Sequence, residues 1–95
     1  MIYPVKFREE ALKEWHKLDK TIQQQFAKKL KKCSDNPHTE SARLRSMKNC
    51  YKIKLRSSGF RLVYEVIDDI LIIAVVAVGK RERNEVYQLA SDRLR

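Results

Sequence analysis

The sequence predicts an α+β domain spanning residues 1–95: a three-stranded antiparallel meander joined by an N-terminal strand, covered on one face by a two-helix hairpin, with a short C-terminal helix. Three observations predict it. Residues 50 to 67, CYKIKLRSSGFRLVYEVI, contain two runs of period-two alternation either side of a small polar turn, the pattern of a β-hairpin. A short apolar, β-branched run from Ile70 to Val78 follows, as expected of a buried central strand. Between Ala11 and Cys33, by contrast, apolar residues recur at helical spacing.

Each element has a local reason. IYPVKF, residues 2–7, alternates weakly, and Pro4 cannot donate to a ladder, which places it at a sheet edge or strand start. Ala11, Leu12, Trp15 and Leu18 form one stripe of a first helix. Thr21 with Gln24 is a capping-box signature, so a second helix should start near 21 or 22, carry the stripe Ile22, Phe26, Leu30 and Cys33, and stop at Asn36 and Pro37. Two amphipathic helices with almost no linker make an antiparallel hairpin whose stripes cover the sheet. The opposite side of the second helix carries Lys28, Lys29, Lys31 and Lys32, either a solvated face or a surface for phosphates or an acidic partner. Residues 36–49 read as a loop in which Leu44 and Met47 tuck inward, while Arg43, Arg45 and Lys48 add positive charge.

The hairpin register follows from burial. Leu55 must face Phe60, Ile53 must face Leu62 and Tyr51 must face Tyr64, because a slip of one residue drives Lys54 into the core. That register sets Lys54 opposite Arg61, and Lys52 opposite Val63, on an outer, charged face. Asp68 and Asp69 read as a two-residue turn, which places Val76 beside Arg61 and Ala74 beside Val63. Gly79 should break the last strand. Asn84 is the expected N-cap of a terminal helix with stripe Val86, Leu89 and Ala90, and Tyr87 lies on a different flank of its first turn.

Twenty-one Lys and Arg against twelve Asp and Glu give a net charge of +9, which favours a polyanionic partner. No stretch has the length of a membrane span or the pattern of a signal peptide, and Cys33 and Cys50 lack a metal or CxxC spacing. The chain is therefore expected to be soluble, cytoplasmic and free of membrane partners and cofactors. There is no GxxxxGK loop, HExxH, CxxC or GxSxG, no carboxylate cluster for metal-dependent cleavage, and His16 and His38 read as surface residues.

What remains is a set of cations around one tyrosine. Lys52, Lys54 and Arg61 share a sheet face, Arg81 follows the last strand, and Tyr87 begins the terminal helix. Guanidinium groups offer paired donors to phosphate and ammonium groups supply point charge, while cations and a helix N-terminus favour tyrosinate. Such a group suits RNA cleavage by the neighbouring 2′-hydroxyl. Tyr87 would take the proton, Lys54 and Arg61 would stabilise the phosphorane, and a cation would help the leaving oxygen. The alternatives are a tyrosine packed by its ring and a non-catalytic basic RNA-binding or co-repressor module.

CYKIKLRSSGFRLVYEV, VGKRERNEVY and ALKEWHKLDK together resemble the RelE toxins of bacterial toxin–antitoxin pairs, over essentially the full chain. The resemblance implies a metal-independent endoribonuclease, an mRNA interferase that cleaves messenger RNA in the ribosomal 30S A site, against 16S rRNA, and inhibits translation. Carried over by motif, it assigns Lys52 and Lys54 from YKIKLR, Arg61 from GFRLVY, and Arg81 and Tyr87 from GKRERNEVY. Tyr87 is then the proton acceptor, Arg81 the donor or leaving-group stabiliser, and Lys54 and Arg61 the transition-state stabilisers. Lys52 has a supporting electrostatic role. Arg45 in LRSM, with Lys52, Lys54 and Arg83, is expected to grip RNA. A RelB-like antitoxin is the implied partner, and the pair is expected to bind operator DNA, with the antitoxin reading the sequence. Pro4, and Ser46 where the family pattern has glycine, are the departures.

Overall fold

The hairpin forms in the register that burial demands. In this computed structural model, which describes residues 2–56, 58–80 and 85–94, β2 (Cys50–Leu55) pairs antiparallel with β3 (Phe60–Ile67). Leu55 faces Phe60, Ile53 faces Leu62, Tyr51 faces Tyr64, and Lys54 faces Arg61. Preceding them are β1 (Val5–Phe7), α1 (Glu9–His16), α2 (Lys20–Asp35) and a single 3-10 turn at Glu40–Ala42. β4 (Ile72–Lys80) and α3 (Glu85–Arg93) complete the chain, and the sheet order is β1-β4-β3-β2 with β1 parallel to β4. Pro4 sits just before this edge strand, where its missing N–H costs no ladder bond and its carbonyl accepts from Ile73 N–H at 3.0 Å.

α1 and α2 cover one face of the sheet. Ala11, Phe26 and Leu30 join Ile53, Leu62, Tyr64, Val66 and Val75 in the main core, flanked by Trp15, Leu18, Ile22 and Cys33. Leu12, expected on the buried stripe, is instead 39% exposed, because α1 ends at His16 and turns only Ala11 fully onto the sheet. α2 starts at Lys20, with Asp19 as N-cap, rather than at a Thr21 capping box. No side chain caps it, and the nearby Gln23 amide donates instead to Trp15 O at 2.8 Å, tying the two helices together.

The other face departs from expectation in three respects. First, it is a second buried layer rather than a purely charged surface: Val63, Val76 and Ala77 are covered by Val86 and Ala90 of α3, with Met47 and Cys50 beside them. Leu44 packs there too, as the loop reading required, but Leu89 is 40% exposed and Leu94 takes its place. Second, the β3–β4 turn holds four residues, Asp68 to Leu71, because Leu71 adopts a left-handed φ of 55° and its N–H bonds to Asp68 O. Third, a register shift at Val63/Tyr64 inserts Val76 as an extra residue. Arg61 therefore faces Gly79 rather than Val76, and Val63 faces Ala77 rather than Ala74. Gly79 does not end the strand, which continues to Lys80. Asn84 lies outside the described residues.

Candidate functional site

Three strands set out a row across the second face: Lys54 on β2, Arg61 on β3 and Gly79 on β4. Residues directly opposite in an antiparallel pair project to the same side, so Arg61 is flanked by an ammonium on one side and by no side chain on the other. Among the described residues beyond its chain neighbours, a methyl group built at Gly79 would meet nothing within 4 Å. The next row, Lys52–Val63–Ala77, is half-buried at Lys52 and closed by α3.

Arg61 is not on exposed surface as its charge suggested; it is 8% exposed. Its stem lies in the sheet layer, Nη1 donates to its neighbour Phe60 O at 3.2 Å, and Nε is buried with no acceptor among the described residues. Guanidinium tolerates such burial better than ammonium because its charge is delocalised and more weakly hydrated. Buried polar groups are ordinarily paired, so this donor without an acceptor among the described residues stands out. Lys54 is exposed at the edge, and Lys80 lies over the Phe60 ring at 5.6 Å.

Tyr87 reaches the same face from α3. It is half-buried and packs against the cluster that contains Val63, Val76, Ala77, Val86 and Ala90. Arg45 is exposed in the loop before β2. Arg81 and Arg83 lie outside the described residues. Lys54 also joins the α2 lysines: a groove of about 1020 Å³ between α2 and the β2 edge is lined by Lys28, Lys31, Lys32, Lys54, Arg56 and a single carboxylate, Asp35. Among the described residues no group of three or more His, Cys, Asp or Glu is arranged to hold a metal, and no helix is long and apolar enough to cross a membrane.

A polar network ties the end of the sheet away from this row. Tyr3 Oη and His38 Nε2 both donate to Asp68 Oδ1 at 3.0 Å, and His38 Nδ1 meets Tyr51 Oη at 3.1 Å. These bonds from Tyr3 and His38 hold the Asp68 carboxyl below its ordinary value, and the same bond raises the Tyr3 phenol. Tyr51 stacks on Tyr64, whose hydroxyl donates to Pro37 O, and burial raises both phenols. Burial also pushes the Cys50 thiol up to about 11, which fits a core residue rather than a nucleophile. Glu14 and Arg93 went unread in the sequence because their partners are distant in the chain, and Gly79 was read only as a strand breaker.

Comparison with known proteins places this arrangement. A family model described as the ParE toxin of the type II toxin–antitoxin system, parDE, matches residues 5–85. A RelE-like toxin protein of Escherichia coli is 78% identical over 95 residues, covering 100% of both chains. The chain belongs to the RelE toxin family. The mRNA interferase toxin RelE of Escherichia coli K12 is 53% identical over 94 residues, 99% of each chain. Among solved structures, a mutant of E. coli RelE in the free state superposes on this RelE-family toxin with TM-score 0.93 at 50% identity, over 100% of each chain. RelE in the intact E. coli RelBE toxin–antitoxin complex does so with TM-score 0.82 at 53% identity, over 85% of this chain and 99% of that one.

Proposed function

We propose that this RelE-family toxin is an mRNA interferase, a metal-independent endoribonuclease that cuts messenger RNA in the ribosomal A site and thereby inhibits translation. The observation that carries the reading is the Lys54–Arg61–Gly79 row, a buried guanidinium with an exposed ammonium on one flank and a glycine, bearing no side chain, on the other. A phosphodiester set over that row has its backbone close to the sheet at Gly79 and its developing charge against two cations. Tyr87 then takes the proton of the 2′-hydroxyl, whose oxygen attacks the adjacent phosphorus. The P–O5′ bond breaks, and Arg81 stabilises or protonates the departing oxygen, leaving a 2′,3′-cyclic phosphate and a 5′-hydroxyl. Lys52 adds field strength, and Arg45 and Arg83 hold the flanking RNA.

Phenol and guanidinium are, as side-chain types, weak carriers of protons at neutral pH. Strong phosphate binding with weak proton transfer suits an enzyme whose substrate is aligned for it, and the ribosome, through 16S rRNA and the mRNA path, supplies that alignment. The name of the 53%-identical relative supports the reaction class, and the RelBE complex supports a RelB-like antitoxin as partner. Operator DNA would be bound through that complex.

Primer-extension mapping of one messenger, with and without stalled ribosomes, tests this. Cuts confined to the vacant decoding codon and seen only with ribosomes are expected. Cleavage of naked RNA would overturn ribosome dependence, and absence of cleavage by folded, antitoxin-free protein would leave a basic binding module.

A further inference from the structure

β1 covers β4 only as far as Val75, whose carbonyl accepts from Arg8 N–H at 3.0 Å. Past that point the bulge at Val76 leaves backbone groups of β4 facing an edge with no strand beside it among the described residues. Two side chains satisfy them. Arg93 Nη1 of α3 donates to Val76 O at 2.9 Å, and Glu14 Oε1 of α1 accepts from Val78 N–H at 3.2 Å. The same two side chains meet each other, Nη1 to Oε1 at 2.7 Å and Nη2 to Oε2 at 3.2 Å. Together they supply one donor and one acceptor to β4, as a neighbouring strand would.

The pair is only 15% and 24% exposed, with Glu10 as an outer contact at 3.9 Å, and Glu14 raises the Arg93 guanidinium further. Among the described residues, these are the only ion pairs joining α3 to the rest of the chain. α3 has nine residues, too short to be stable on its own, and docks through a narrow line of Val86, Ala90 and Leu94. An apolar line restrains sliding and rotation poorly, whereas a bidentate pair fixes orientation as well as distance.

We propose that the Glu14–Arg93 pair is the positioning device that fixes α3, and through it Tyr87, on the Lys54–Arg61 face. This role rests on the reading of Tyr87 as proton acceptor. Arg93 stands within two helical turns of Tyr87, so release of the pair lets the ring shift on the Val63 layer while the main core, on the opposite face, is untouched.

The test combines amide exchange with single-turnover cleavage on stalled ribosomes, in R93A, R93K, Y87F and R93A/Y87F. In R93A, the amides of α3 and Val78 are expected to exchange at least about tenfold faster while β3 amides stay protected. The cleavage rate at saturating ribosomes should fall roughly 10- to 100-fold, with the half-saturating ribosome concentration unchanged. R93K should recover part of both, since one ammonium cannot engage Glu14 and Val76 O in the same fork. Adding R93A to Y87F should cost nothing more. If R93A does not fold, R93K gives the same readouts with smaller losses. Unmoved α3 exchange, or an equal loss of rate in the Y87F background, overturns the inference. Faster α3 exchange from a protein that, unaltered, cuts no messenger would sink the nuclease reading and leave the anchoring of α3 standing.

Discussion

Arg61 sits where a sheet would ordinarily set an aliphatic side chain, and the cost and use of that choice can be separated. Arg61 is 8% exposed on the α3 side of the sheet, while its Nε is a buried donor without an acceptor among the described residues, a situation that costs about 1–3 kcal/mol. Arg61→Met keeps the packed stem and removes the orphan donor. We expect its urea midpoint to match or exceed that of the unaltered toxin while messenger cleavage on ribosomes is lost. Arg61→Ala removes the stem as well and should destabilise by about 1–2 kcal/mol, although its charge alone pointed to a harmless surface change. A midpoint that falls equally in both variants would mean that the guanidinium, not the stem, supports the fold. Tyr87→Phe isolates the hydroxyl in the same way. The ring packing survives, so stability and ribosome association should hold, while cleavage falls by roughly 10²–10⁴-fold, the usual contribution of a positioned acid or base. Undiminished cleavage would remove Tyr87 from the chemistry.

At the scale of elements, β4 decides which residues meet at the site. Had Asp68 and Asp69 formed the whole turn, Arg61 would face Val76, and a branched side chain would stand beside the guanidinium. The four-residue turn and the bulge bring Gly79 there instead. Gly79 is the place to test this, because its φ is not in the left-handed region and, among the described residues beyond its chain neighbours, a methyl group meets nothing within 4 Å. Gly79→Ala should therefore leave thermal stability unchanged or slightly raised, through lower unfolded-state entropy, by up to about 1 kcal/mol. Cleavage should drop at least about tenfold if the phosphodiester backbone approaches the sheet at that spot, since a displaced substrate loses alignment. Full activity in this variant would place the scissile phosphate elsewhere. The hairpin register was legible because alternation and burial fix it within one local unit. The turn was not, because Leu71 in a left-handed conformation and the inserted Val76 answer to tertiary contacts that no period-two pattern carries. The Thr21–Gln24 capping box failed for a related reason: the helix begins a residue earlier, and Gln23 is used to join two helices.

For the whole molecule, the charge of +9 is not spread evenly. The cations of α2 run into Lys54 through one groove, so the Lys54–Arg61 row continues around the β2 edge onto a helix. The far end is held by the Tyr3–Asp68–His38–Tyr51 bonds, which join the N-terminal segment, the loop after α2 and the β3–β4 turn around the Asp68 carboxylate. Composition pointed to a polyanionic partner and helical spacing to the lysine face, but the continuity between helix and site needed the packing of α2 against β2. That continuity makes a quantitative prediction. Binding to ribosomes should weaken linearly in log affinity against log salt, because each phosphate contact releases a counterion. Lys28, Lys31 and Lys32 are exposed and outside the apolar core, so changing all three to Gln should leave the fold intact. The salt slope should then flatten by about 0.7–0.9 for each lysine that contacts a phosphate. The cleavage rate of toxin already bound to ribosomes should stay the same, because the Lys54–Arg61 row is unaltered. An unchanged slope with full affinity would show that the groove faces solvent in the bound state, and that Lys54, Arg61 and the residues around them carry the electrostatic attraction alone.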